Sequence, residues 1–440
     1  IQKNIHLFEK YMFVFIILQP IIDLLTSFSL LVLDINITFG ILVRFGTMAL
    51  ILIYIFFALD KNQRNRSMFY IFFLGIVLLI GFVNNLLVKD PINVFSEIKH
   101  IAKIIYAPVM LFGYLTVFYR LSKHDNTKEH IQRNVYIAML IVSIVMLLST
   151  ITGTAIKSYE SEKLGWQGWF FAGNEIGAIM AIALPMVLLY SVQKTSSTKK
   201  LYHWIPTVML IISLLLVGTK VGYLSSLIIL GIALVSMVYE RIKNRNDILL
   251  RKKYNLNLLV NLVVLALFLL STPITPVMYN TNVHLSWLGY DDPVEKEVET
   301  PNKQSVKPGK KAILEDTKAV ENILLSGREN FLKLHKGYFK EAPMSQKLFG
   351  MGYGSNYEEF DVIGKTIEMD FYDIFFSFGI VGFTAYILPF IYLAITCMWL
   401  ILKNLKDKLT LENILIGSGI LLGLGIAYTE WFLLRISIHS

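Results

Sequence analysis

The chain has 440 residues, of which 55% are hydrophobic and only 17% charged, with a mean hydropathy of +0.57. Soluble domains carry about 25% charged residues, and repeated apolar runs of about 20 residues are what a bilayer asks of a spanning helix, so a soluble enzyme is excluded. The net charge of +9 does not indicate nucleic acid, because the basic residues sit in short connections between apolar runs.

In lipid only helices or closed barrels satisfy the backbone. The runs lack the period-2 alternation of strands, so the expected fold is all-α, a polytopic helical membrane protein with about 11 to 12 transmembrane helices. The first span covers about Tyr11 to Leu33 and contains Pro20 and Asp23; the second, about Phe39 to Leu59, contains Arg44. The third runs from about Met68 to Val88 and the fourth from about Ile101 to Tyr119, with Lys99 and Lys103 at its start. The fifth is about Val135 to Ile151, and a loop through Trp166 and Trp169 leads to the sixth, about Ala172 to Val192. The seventh and eighth, about Ile205 to Val217 and Gly222 to Tyr239, are joined by the tight turn Gly218-Thr219-Lys220-Val221. The ninth, about Leu256 to Thr272, ends at Pro273 and Pro276. The tenth is about Phe371 to Leu402 and the eleventh about Ile414 to Leu434. Cys397, the single cysteine, lies in the tenth run, so no intrachain disulfide forms.

Every other short loop is rich in Lys or Arg, which places those loops in the cytoplasm. The N-terminus is then inside, the long polar segment outside, and an odd number of spans leaves Ser440 outside unless the last run folds back or a partner span is missing. The chain opens on Ile1 rather than methionine, which reads as a trimmed start, and the first span serves as the targeting signal. Three parts follow: residues 1–276 with nine spans, 277–370 as a large extracellular loop with amphipathic helices, and 371–440 with the last two spans.

Several charges are out of place for a membrane protein, and intramembrane ionisable residues are functional candidates. Arg44 lies in the outer part of the second span, where it either snorkels, pairs with Asp23 or binds an anion. Lys99, Lys103 and Lys220 lie at outer ends of spans, against the positive-inside pattern. In the long loop, apolar residues at Ile313, Leu314, Val320, Ile323 and Leu324 repeat at helical spacing. Ser326-Gly-Arg-Glu329 then reads as a capping box, which puts Arg328 in the first turn of a new helix, where free N–H groups and the dipole favour anions. Gly350, Gly352 and Gly354 supply turns without matching a nucleotide-binding pattern. Glu368, Asp370 and Asp373 lead straight into the next apolar helix, suited to acid–base work or to ion pairing with the nearby bases.

The order of these motifs resembles the O-antigen ligase and polymerase superfamily of integral membrane glycosyltransferases. The resemblance rests on Ala172-Gly-Asn174-Glu-Ile-Gly177 with Leu184-Pro185, on Thr219-Lys220-Val-Gly222 where arginine is the usual basic residue, and on Ser326-Gly327-Arg328. It continues through Leu348-Phe-Gly350-Met-Gly352 and Phe378-Gly379-Ile-Val-Gly382. The position at which that family carries a histidine falls on Glu368, an acidic variant that looks like Gram-positive members making wall or capsular polysaccharide such as teichuronic acid. The resemblance implies an undecaprenyl-diphosphate-linked glycan donor, a polysaccharide or lipid-linked acceptor, inversion at the sugar, and neither metal nor other cofactor. Arg328, Lys220, Arg44, Lys103 and Lys99 would hold the diphosphate. Glu368 or Asp370 would deprotonate the acceptor, and Asn174, Glu175, Asp373 and Tyr338 would hold the sugars. Two other classes stay open: a lipid-linked oligosaccharide flippase, and a metal-dependent glycosyltransferase using Asp370 and Asp373.

Overall fold

The computed structural model describes residues 2–34, 39–90, 92–121, 127–159, 162–287, 328–354, 369–403 and 408–429. Among them the fold is all-α, with a single strand-like bridge between Lys157 and Trp166. Eleven helical stretches are long and apolar enough to cross a membrane. The first six are α1 (Gln2–Leu31), α2 (Phe39–Ala58), α3 (Lys61–Val88), α4 (Val94–Leu121), α5 (Thr127–Ile151) and α6 (Gly173–Lys194). A 3-10 turn (Thr198–Trp204) leads into α7 (Ile205–Val217), and α8 (Lys220–Lys243) and α9 (Ile248–Ser271) follow. Three shorter helices come next, α10 (Pro276–Trp287), α11 (Arg328–Glu341) and α12 (Met344–Phe349), before the last two long ones, α13 (Asp370–Lys403) and α14 (Leu411–Thr429).

The two prolines after the ninth span do more than stop it. Pro273 sits in a 3-10 turn (Thr272–Ile274) and Pro276 is the first residue of α10, where a missing N–H removes no helical hydrogen bond. The chain therefore turns back over the bundle as a helix.

The core is built around α6. Of its spanning window 78% is buried, against 17% for α9, so α6 is the axis and α9 faces outward. Gly177, Ala178 and Ala181 of α6 are buried, and small residues let helix backbones approach closely in a membrane. Its neighbours are α5, α7, α8 and α14. A second cluster joins α1, α2 and α4, and a third joins α3 and α4 to α13. At the end carrying the Lys- and Arg-rich connections, Glu9 of α1 accepts hydrogen bonds from Tyr54 Oη (3.1 Å) on α2 and Arg120 Nε (2.6 Å) on α4. Arg120 also donates to the Ala58 carbonyl at 2.9 Å, so one carboxylate ties three helices together.

Alternating spans bring the α1–α2, α3–α4, α5–α6 and α7–α8 connections, the end of α9 and the start of α13 to the opposite end. Arg44, Lys99, Lys103, Glu175, Lys220, Asp370 and Asp373 all lie toward that end.

Candidate functional site

The tenth span is not one continuous helix. Gly379 breaks α13 with φ 65° and ψ −172°, a conformation essentially confined to glycine. The segment 370–378 is a short helix at the end of the bundle, and 380–403 crosses it. A helix end leaves its last carbonyls without partners. Here the Phe376 and Ser377 carbonyls accept from the Met351 N–H (2.9 Å) and the Gly352 N–H (3.0 Å). The turn Leu348-Phe-Gly-Met-Gly-Tyr-Gly354 and the break at Gly379 are thus one interlocked unit. Gly350 and Gly352 have φ of 95° and 71°. A side chain at Gly350 would run into the Ser377 carbonyl, and one at Gly352 into the Glu97 carboxylate.

The turn is clamped from α3 and α4. Lys89 and Glu97 form a buried ion pair (2.7 Å) that grips the backbone of Tyr353: Lys89 Nζ donates to the Tyr353 carbonyl (2.9 Å) and Glu97 accepts from the Tyr353 N–H (3.0 Å). Gln346 Nε2 donates to Asn85 Oδ1 at 3.0 Å, fixing α12 on α3.

This clamp delivers the Tyr353 ring to a buried polar cluster. The His100 ring, 5.5 Å away, stacks on Phe378 at 5.3 Å with the planes 7° apart. Asp373 lies close enough for its carboxylate to act on the Tyr353 phenol, whose pKa is pushed above its usual value first by burial and then by that charge. Ser377 Oγ donates to Asp373 Oδ1 at 3.4 Å. His100 and Asp373 are only 6% and 4% exposed, and His100 Nε2 and Asp373 Oδ2 have no hydrogen-bond partner among the described residues. Buried polar atoms are nearly always satisfied, so these two mark the cluster as a candidate site. Lys103, half-buried one turn along α4, acts electrostatically on both. Asp370 is fully buried at the start of α13, and the break folds it toward Tyr386 of the crossing segment.

A cavity of about 690 Å³ lies between α1, α2, α4, α5 and α6 and reaches Phe390 of α13. Its walls are mostly apolar, and its polar lining residues are Gln19, Asp23, Thr26, Ser27, Arg44 and Glu175, with the tyrosines Tyr106 and Tyr114. Arg44 is buried and ion-paired with Asp23, the pairing that the spacing of these two charges allowed. Tyr106 lines the same cavity three residues beyond Lys103, so α4 borders both the cavity and the His100–Asp373 cluster.

Glu175 is in the first turn of α6, with half-buried Asn174 beside it. Gly177 faces Thr219, which packs the start of α6 against the α7–α8 turn. There Thr219 caps α8 by accepting from the Gly222 N–H (3.1 Å), and Lys220 is the first helical residue. Asn280 of α10 donates to the carbonyls of Gly218 (2.9 Å) and Leu164 (2.6 Å), holding the turn in place.

Of the residues singled out from sequence, Arg44, Lys103, Glu175, Asp370 and Asp373 converge on this end of the bundle, and Lys99 is half-buried one turn before Lys103. Lys220 and Asn174 flank the group at the α6–α8 junction. Tyr338 packs with His335 and an apolar cluster on α13. Arg328 is the first described residue of α11. Ser326, Glu368 and the 313–324 repeat lie outside the described residues. Among the described residues no three His, Cys, Asp or Glu side chains converge as metal ligands do. Sequence reasoning missed Lys89, Glu97, His100 and Tyr353. His100 carried a usable signal, an ionisable residue inside a span; the other three acquire their meaning only from contacts hundreds of residues apart.

A family model described as O-antigen ligase like membrane protein matches residues 5–437. No match was found among curated proteins or among solved structures.

Proposed function

Because the chain belongs to the O-antigen ligase-like family of membrane proteins, a family of membrane glycan ligases and polymerases, we propose that it transfers a glycan from undecaprenyl diphosphate to an acceptor sugar hydroxyl, building a bacterial cell-surface polysaccharide. The observation that carries this reading is that α4 borders both a largely apolar cavity lined by the buried Arg44 and a buried cluster of acid–base side chains. The basic connections at the opposite end (61–66, 120–133, 194–200 and 241–253) support placing the site on the outer face of the cytoplasmic membrane.

The cavity suits a prenyl chain, and the cations near it suit the diphosphate. Asp23 neutralises Arg44 but also fixes its planar, five-donor fork. The net positive charge therefore comes from Lys103 and Lys99 of α4, from Lys220 at a helix N-terminus, and from Arg328 on the long segment. These charges stabilise the lipid diphosphate as it leaves. The acceptor oxygen attacks the anomeric carbon, the bond from that carbon to the phosphate oxygen breaks with inversion, and the hydroxyl proton passes to a base. The buried atoms of Asp373 and His100 that lack partners among the described residues support these two as acceptors of that proton, with Asp370 or Glu368 as the alternative bases. Glu175, Asn174 and Tyr338 would hold the sugars. With cations supplied by side chains, the step needs no metal.

The test is a reconstituted reaction with an oligosaccharide on undecaprenyl diphosphate, with and without EDTA. The wild type should release lipid diphosphate and transfer the glycan in either condition. Arg328→Ala should lose transfer, and His100→Gln should slow it by about 10²-fold or more without loss of folded protein. Intact lipid-linked donor crossing to the other leaflet, with no transfer to any acceptor, would replace this proposal with a flippase.

A further inference from the structure

A second groove, of about 550 Å³, lies on the far side of the segment 370–378, between it, α11 and α12. Its floor is aromatic, formed by Phe339, Phe371, Tyr372, Phe375, Phe376 and Phe383, and its rim carries Lys336, Lys340 and Lys347. Lys336 and Lys340 are one turn apart on α11, a like-charge spacing that destabilises a helix. Lys347 joins them by donating to the Lys340 carbonyl at 2.9 Å. None of the ion pairs among the described residues uses these three lysines. The pull of the α11 C-terminus on cations accounts for Lys340 and Lys347 but not for Lys336, since that field fades within a turn. Three ammonium groups on one rim, with no carboxylate paired to them among the described residues, favour an anion.

The floor narrows the choice of anion. A sugar needs hydrogen-bond donors and acceptors along its edges, and the described residues of the lining include no Asn, Gln, Asp or Glu. The one neutral polar group among the described lining residues, the Tyr372 hydroxyl, already donates to the Tyr428 hydroxyl (3.3 Å). Hydrocarbon fits the rings, and the lysines fit a phosphate at its head. The groove also runs in the right direction, from the lysines on α11 and α12 down to Phe383 on the crossing part of α13. The donor cavity reaches that same part at Phe390, seven residues on, about 10 Å along the helix and on the same face. Asp373 belongs to the short segment whose Tyr372, Phe375 and Phe376 line the groove.

Resting on the function proposed above, we infer that this groove binds the polyprenyl phosphate end of the acceptor, so that both substrates are lipid-linked and the reaction is a polymerisation. The acceptor glycan is then held on one side of the segment 370–378 and the donor on the other, with Asp373 between them. In the transfer, a hydroxyl of the acceptor glycan forms the new glycosidic bond, the donor lipid leaves as its diphosphate, and the product remains on the acceptor lipid.

The experiment compares two acceptors bearing the same glycan, one on undecaprenyl diphosphate and one lipid-free, in nanodiscs with wild type, the triple variant Lys336→Gln/Lys340→Gln/Lys347→Gln, and the corresponding triple arginine variant. The wild type should prefer the lipid-linked acceptor. The glutamine variant should raise its KM by about tenfold or more, the loss of one charge-assisted contact, without raising the donor KM, and arginine should restore it. Undecaprenyl phosphate should compete with this acceptor and phosphatidylglycerol should not. Equal use of the two acceptors, an unchanged acceptor KM, a raised donor KM, or competition by phosphatidylglycerol would each overturn the inference while leaving glycan transfer standing. Absence of transfer to both acceptors by the wild type would instead count against the function itself.

Discussion

Alanine at Gly379 tests whether the break in α13 organises the site. The native φ of 65° with ψ of −172° lies where only glycine is comfortable, and forcing another residue there costs about 1–3 kcal/mol. A methyl group would also sit 2.5 Å from the Gly350 nitrogen and 2.6 Å from the Leu348 carbonyl carbon. Those are backbone atoms, so the turn cannot yield without stretching the bonds from the Met351 and Gly352 N–H groups to the Phe376 and Ser377 carbonyls. Each buried bond lost this way costs about 1–3 kcal/mol. Gly379→Ala should therefore destabilise the protein by about 3 kcal/mol or more, and the damage should fall on the surroundings of Asp373 and Tyr353. The matched control is Gly231→Ala on α8, where an added methyl meets nothing within 4 Å and helix propensity favours alanine by about 1 kcal/mol. Denaturant titration in mixed micelles and the transfer assay read both effects. A Gly379→Ala protein with wild-type midpoint and rate would refute the interlock.

Two further outcomes follow from the buried charges. Asp23→Ala alone leaves the Arg44 guanidinium buried without its carboxylate and should cost about 3–5 kcal/mol, whereas the double variant Asp23→Ala/Arg44→Ala should cost clearly less than the sum of the singles; additive losses in the same unfolding titration would show that the pair is not coupled. Tyr353 supplies a pH prediction. Its phenol is held above the usual value near 10 by burial and by Asp373, so as pH rises past about 10 the unfolded chain releases the proton while the folded one keeps it, and stability falls. Tyr353→Phe should flatten that alkaline loss in unfolding measurements across pH 9 to 11, and an unchanged slope would exclude Tyr353 as its source.

Eleven spans were legible from hydropathy because a lipid-exposed helix satisfies its own backbone, so each span is decided within about 20 consecutive residues. Local reasoning also put Arg328 in a helix and drew attention to Arg44 and Asp23, since a capping pattern and a charge inside an apolar run are visible in a short window. The glycines were visible in the same way, but not what they do together. Gly350, Gly352 and Gly379, all at positive φ, share one unit in which Gly350 and Gly379 meet each other's backbone segments and Gly352 meets the Glu97 and Asn85 side chains, and no short window of sequence contains those contacts. His100 was passed over in the sequence. Its place beside Asp373, Lys103 and Tyr353 comes from packing α4 against the turn after α12 and the broken start of α13. Burial then changed what those residues are: a carboxylate or an imidazole closed off from water must find a partner or a ligand, and only the tertiary structure decides which ones are closed off.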